Sequence, residues 1–252
     1  MIKRQFDKKN IVGIYPEGSE SNVYVYKEDN NEVALKVFKH EFVTPSKTEK
    51  IPEEVFKNKE RKLILLNQSP YLDEDSKPID LYYIGNEFIG YSMVNDKNEK
   101  LENYYSSSDK IKTSLLNRIR EKINYCNEHG IYIGDFNTDN FRVREDGSIK
   151  LIDIDNFSIG GLDFDRPTNL VRNYKEKCTN LKNIDVYSFN YFSLGFISSR
   201  EPYALERYLK EHGLPRKYNT EENQKLLEDL ENINDDFEPR YFIDSKKKGL
   251  FF

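Results

Sequence analysis

The chain of 252 residues has no tryptophan, two cysteines and three histidines. Cys126 and Cys178 lie far apart and neither belongs to a C-x-x-C pair. That excludes a disulfide framework or a cysteine-built zinc site and fits a reducing cytoplasm. His40, His129 and His212 show no metal-ligand spacing. An excess of positive charge is also missing: 39 Lys and Arg stand against 44 Asp and Glu, for a net charge of −5. A general nucleic-acid binder is usually basic, so no nucleic-acid partner is expected. No apolar run approaches the roughly 18 residues of a membrane span, and the best stretch, Tyr191 to Ile197, is too short. The opening MIKRQFDKKN carries charges with no apolar stretch behind it, so a signal peptide is not expected. Internal repeats and low-complexity linkers are absent as well.

What is present is polar and aromatic. Charged residues make up 33% and hydrophobic residues 37%, with 18 Tyr and 16 Phe supplying much of the bulky apolar material. The length allows one domain, or two small lobes sharing a cleft. The pattern changes near residue 95. Before it, short alternating runs dominate: VYVYK (Val23 to Lys27), EVALKVF (Glu32 to Phe38), LYYIG, and EFIGYSMV after Gly85-Asn86. Between them EEVFKNKERKLILLNQ places Phe56, Leu63 and Leu66 near helical spacing. After it, SLLNRIREKINYCNEHG predicts an amphipathic helix closed by Gly130. A β-rich segment follows, IYIGD and NFRVRE and, after the turn Asp146-Gly147, SIKLIDID, and then a buried helix near Asp185. PYALERYLKEHG and TEENQKLLEDLENI read as surface helices. The expectation is an α+β chain with an N-terminal lobe, residues 1–94, built on a small antiparallel sheet, and a mainly helical lobe, residues 95–252.

Chemistry concentrates in GDFNTDNFRVREDGSIKLIDID. Asp135 and Asn140 are five apart in a polar loop, and Asp153 follows thirteen residues later at the end of an apolar strand. Two neighbouring loops can bring such oxygens around one point, as a hard divalent cation requires. The same residue types also serve turns for conformational reasons alone. Nearer the N-terminus, Gly18-Ser19-Glu20-Ser21 makes a small-residue turn whose backbone N–H groups could approach phosphate oxygens. Lys36 lies within the apolar ALKVF, where an amine needs a partner or ligand. Glu60 is a candidate partner; on alternation alone Lys36 would instead point to water, with Val33, Leu35 and Val37 facing in.

The order of these pieces resembles the protein-kinase-like superfamily, over roughly residues 8 to 200. The resemblance implies a two-lobed kinase-like fold and an ATP- and Mg2+-dependent phosphotransferase. In its terms Gly18, Ser19, Ser21 and Val23 cover the phosphates, and Lys36 contacts them with Glu60 as its ion-pair partner. Ser92 to Asn95, through Met93, Val94 and Asn95, forms the adenine-binding hinge. Asp135 is the catalytic base, Asn140 and Asp153 are the magnesium ligands, and Asp185 is the buried aspartate that braces the catalytic loop.

The sequence also departs from the family. One glycine of three remains in the loop, Pro16 and Ser21 standing at the flanking positions. Ile133 and Gly134 replace the histidine and arginine before the base, Asn137 replaces a lysine, and Asp153-Ile154-Asp155 replaces Asp-Phe-Gly, which makes Asp155 a second possible ligand. Only 31 residues separate Asp153 from Asp185, with no Ala-Pro-Glu among them. Three functions stay open: a Ser/Thr protein kinase, a small-molecule phosphotransferase, and a nucleotide-binding scaffold without turnover. The implied partner is a protein or small-molecule phosphate acceptor.

Overall fold

The computed structural model describes residues 1–164 except 17, 19, 30, 45 and 46, then residues 169–197, and residues 224 and 228. The C-terminal surface helices read from the sequence lie outside the described residues. The chain divides into two compact units, Met1–Lys97 with Ile159–Asp165, and Asn98–Ser158 with Arg166–Phe252.

The first unit is built on β1 (Lys3–Gln5), β2 (Ile11–Ile14), β3 (Ser21–Glu28), β4 (Asn31–Phe38), the short pair β5 (Glu41–Thr44) and β6 (Lys47–Lys50), helix α1 (Glu53–Gln68), β7 (Leu81–Ile84) and β8 (Glu87–Val94). Six strands form one sheet in the order β1-β7-β8-β4-β3-β2. The sheet is mixed, which corrects the expected antiparallel one. Lys3–Gln5 runs parallel to β7, while the other neighbours are antiparallel. The Asp80 carboxylate holds this N-terminal strand, accepting from the Ile2 N–H at 2.6 Å and Arg4 Nε at 2.5 Å.

β4 lies between β3 and β8, so both its edges are paired, and residues on both its faces enter apolar clusters. Val33 and Leu35 enter a cluster with Tyr26, Tyr82 and Ile89. Phe38 enters the opposite cluster with Phe56 and Leu63 of α1 and Leu81, Tyr83, Phe88 and Tyr91 of the sheet. Burying each of these large side chains contributes about 1.5–3 kcal/mol. The β4–β8 pairing leaves no room for a side chain at Gly90: a Cβ there would sit 2.0 Å from the Lys36 carbonyl oxygen. Segment Ile159–Asp165, which the sequence division places in the second lobe, belongs to the first unit. Lys62 Nζ donates to the Asp163 carbonyl at 3.1 Å.

The second unit contains β9 (Glu99–Lys100), α2 (Asp109–Glu128), β10 (Ile131–Tyr132), β11 (Phe141–Val143), β12 (Ile149–Leu151), α3 (Asn169–Lys175) and α4 (Leu181–Ile197). β9, β11 and β12 form a small antiparallel sheet. On α2, Leu115, Leu116, Ile119, Ile123 and Cys126 make one buried stripe. α4 is buried over nearly all its circumference. It begins four residues before Asp185, because the Asn180 Oδ1 accepts from the Lys182 and Asn183 N–H groups at 3.1 and 3.4 Å and caps the first turn. Both cysteines are free and buried. The chain is thus α+β, with a mixed six-stranded sheet and a few helices. Among the described residues no helix is long and apolar enough to cross a membrane.

Candidate functional site

In the second unit, α2 ends at His129 and Gly130, whose φ of 70° turns the chain into β10. Ile133 and Gly134 follow, and both donate their backbone N–H to one carboxylate. Asp185 of α4 accepts from Ile133 N at 2.7 Å on Oδ2 and from Gly134 N at 2.8 Å on Oδ1. With its amide in the orientation that satisfies its neighbours, Asn127 donates to Asp185 Oδ2 at 2.9 Å and to the Ile131 carbonyl at 3.1 Å. Asp185 is fully buried, and burial pushes its carboxyl up to about 7 against the opposing pull of the two backbone donors. The resemblance implied this brace, and the side chain stands where it implied.

The residue after this brace is Asp135, half-buried between two buried neighbours. Phe136 turns inward onto Phe141 and onto Phe189 and Phe192 of α4, with ring centroids 6.1–6.3 Å apart. That anchoring fixes the register of the polar residues on either side. Asn140 Nδ2 donates to the Asp135 carbonyl at 2.9 Å and to its Oδ2 at 3.2 Å. Asn137 Nδ2 lies 3.3 Å from both carboxylate oxygens. Its Oδ1 accepts from the Asp139 and Asn140 N–H groups and caps the short helical turn Thr138–Asn140. Amide hydrogens therefore surround and orient the Asp135 carboxylate. The role of Asn137 was missed in the sequence, although an asparagine opening a helical turn is a recognisable cap.

Asp153 is brought alongside by strand register. Phe141 pairs with Leu151, and the Ile152 N–H donates to the Asn140 carbonyl at 3.0 Å. Asp153 then adopts left-handed backbone, φ 59° and ψ 40°, which Asp tolerates better than most residues. Asp155 is buried, while Asp153 is half-buried and so the more accessible of the two carboxylates. Among the described residues no three His, Cys, Asp or Glu gather into a metal site. Asn140 uses its amide nitrogen on Asp135, so what it could offer a metal is its side-chain oxygen, with the Asp153 carboxylate as the other expected ligand. Such an all-oxygen pair suits magnesium, which binds through one or two carboxylates plus phosphates and water.

In the first unit, Val23 pairs with Lys36, and Lys36 with Tyr91 across β3, β4 and β8. These three side chains share a face. Lys36 is 5% exposed, with its Nζ 5.9 Å from the Phe38 ring centroid. It does not point to water, because its face of the sheet carries Phe38 and Tyr91 and is covered by α1. Ser21 opens β3 opposite Phe38 and is buried. The Gly18 carbonyl accepts from Lys39 Nζ at 2.8 Å, a contact with no sign in the local pattern. Ser19 lies outside the described residues. Met93 and Val94 end β8 opposite Ala34 and Val33, and the Tyr15 hydroxyl donates to Asn95 Oδ1. Ser92 uses its own N–H on the Asp80 carbonyl and its carbonyl on the Ile79 N–H, so a hinge would begin at Met93.

Glu60 is a correction. Its carboxylate accepts from Lys3 Nζ at 3.1 Å and from the Tyr83 hydroxyl at 2.5 Å, not from Lys36. The buried face of α1 carries Phe56, Lys59, Lys62, Leu63 and Leu66, and Glu60 falls one residue beyond that stripe.

Compared with protein-family models the chain matches none, and no curated protein matches it.

Proposed function

We propose that this chain is a two-lobed, protein-kinase-like phosphotransferase that moves the γ-phosphoryl of ATP, with Mg2+, to a hydroxyl of a protein Ser or Thr. The observation that carries the reading is the Asp185 carboxylate accepting both backbone N–H groups immediately before Asp135. A buried acid spent on fixing one loop makes sense where the next residue must be held in place. Asp135 would orient the acceptor hydroxyl and take its proton as that oxygen bonds to the γ-phosphorus and ADP departs. Lys36 would balance charge on the phosphates. Asn140 and Asp153 would hold the magnesium, whose chemistry is to neutralise phosphate oxygens. The two free buried cysteines fit a reducing compartment, and the cytoplasm is the location proposed.

One observation favours a small-molecule acceptor instead. Asn137 holds Asp135 from the position where the resembled protein kinases carry a lysine. A nucleotide-binding scaffold without turnover is favoured by Glu60, which pairs away from Lys36.

The test is transfer from γ-labelled ATP to a panel of proteins and hydroxyl metabolites. Wild type should label an acceptor. Asp135→Asn should abolish transfer while leaving nucleotide binding within a few-fold. Labelling by a folded Asp135→Asn protein at the wild-type rate refutes the base assignment. Nucleotide binding without labelling across the panel turns the reading to the scaffold.

A further inference from the structure

We propose that Lys39, just past the end of β4, is a positioning residue for the turn between β2 and β3, holding Gly18 and Glu20 in the arrangement in which that turn would cover a triphosphate. The inference rests on the nucleotide reading above and adds to it the side chain that shapes the covering loop.

The turn is short and built of small and polar residues with one glycine. Such a segment has many conformations open to it. A ligand that needs one of them binds more weakly by the fraction of time the turn spends elsewhere. Here the pairing of the strands runs past their ends toward the turn. The Tyr15 N–H donates to the Val23 carbonyl at 2.9 Å, and the Lys39 N–H donates to the Glu20 carbonyl at 2.9 Å. Glu20 precedes β3 and Lys39 follows β4, so the second bond extends the ladder one step beyond the pair Ser21 and Phe38.

The Lys39 side chain carries the contact further. Its Nζ donates to the Gly18 carbonyl at 2.8 Å. One residue thus bonds the turn twice, at Glu20 through its backbone and at Gly18 through its ammonium. A peptide unit is planar, so holding the Gly18 carbonyl holds its whole plane. Gly18 also fits closely, since a Cβ there would sit 3.0 Å from the Ser21 carbonyl oxygen. The ammonium bond lies at the surface, where water competes for both partners. Its contribution to global stability is therefore small, and its effect falls on which arrangement of the turn is populated.

The test measures binding of Mg-ATP, inorganic tripolyphosphate and adenosine by calorimetry, for wild type, Lys39→Met and Lys39→Arg. Hydrogen exchange at the backbone amide of residue 39 is read in the ligand-free proteins. Lys39→Met keeps the stem and removes the donor. It should speed that exchange and weaken Mg-ATP and tripolyphosphate about threefold to tenfold, with adenosine unchanged. Lys39→Arg, which can still donate, should stay close to wild type. A structural defect without a role in the loop would weaken adenosine as well. Should Lys39→Met not fold, Lys39→Gln carries the comparison. A folded neutral variant that binds Mg-ATP like wild type overturns the role of Lys39 and leaves the nucleotide reading standing. Weaker Mg-ATP binding with exchange at residue 39 unchanged also overturns it, because the charge would then act without holding the turn. A wild type that binds neither Mg-ATP nor tripolyphosphate overturns the nucleotide reading and the proposal together.

Discussion

Asp185→Asn removes one of the two acceptors that hold the loop before Asp135. In wild type both oxygens accept backbone N–H groups, at 2.7 and 2.8 Å, from a fully buried position. The asparagine keeps one acceptor and turns an NH2 group toward the other N–H. A buried donor left without an acceptor costs about 1–3 kcal/mol, so Asp185→Asn should lose about that much and Asp185→Ala roughly twice it. The loss should also depend on pH. Burial raises the folded carboxyl to about 7, above its unfolded value of 3.8, so the folded state holds an extra proton between these values. The stability from that proton is fully present below pH about 4 and is lost as pH rises through about 7. Asparagine does not titrate. The advantage of wild type over Asp185→Asn should therefore shrink as pH rises from 5 to 8. Urea titrations of both proteins at several pH values read this directly, since subtraction cancels the other titrating groups. Hydrogen exchange at Ile133 and Gly134 should accelerate in the variant. Equal stability within about 0.5 kcal/mol at pH 5, or a difference that does not move with pH, refutes the reasoning.

Two further substitutions test the first unit. Gly90→Ala would set a Cβ against the Lys36 carbonyl, 2.0 Å away, and backbone cannot step aside as a flexible side chain can. It should cost about 1–3 kcal/mol or more, seen as a lower urea midpoint, and an unchanged midpoint contradicts the close approach. Arg4→Ala strips the buried Asp80 of its charged partner and should cost about 1–3 kcal/mol. Exchange at the Leu81 amide, which donates to the Ile2 carbonyl, should rise with it; protection equal to wild type shows that Arg4 does not hold β1.

Much of the skeleton was legible in the sequence, because alternation and helical spacing are local. α1 spans the stretch read as a helix, and β3, β4, β7 and β8 fall on the alternating runs. Gly85, with φ 59°, makes the two-residue hairpin turn between β7 and β8 that Gly85-Asn86 signalled. β1 was not legible: Lys-Arg-Gln has no strand pattern, and Asp80, far along the chain, recruits it. The sequence cannot say which strand is central, so Lys36 could be read as facing water on alternation alone. It also cannot fix a helix to within one residue of rotation, which decides between Glu60 and Lys59. Asp185 was legible only through the order of motifs, since a lone aspartate in an aromatic helix has no local signature. The amides around Asp135 were half legible: Asn140 by its spacing, Asn137 only as a cap of the short helical turn.

The proposed magnesium-dependent binding of nucleotide calls on both Lys36 and Asp153. Thermal unfolding with ATP, with and without magnesium, tests it on wild type, Lys36→Ala and Asp153→Asn. A ligand at 100 times its dissociation constant adds about 2.7 kcal/mol, which for a chain of this size raises the midpoint by about 5–10 °C. A magnesium-dependent rise of that size is expected in wild type and should be lost in both folded variants. No rise at millimolar nucleotide, or an equal rise in all three proteins, contradicts it.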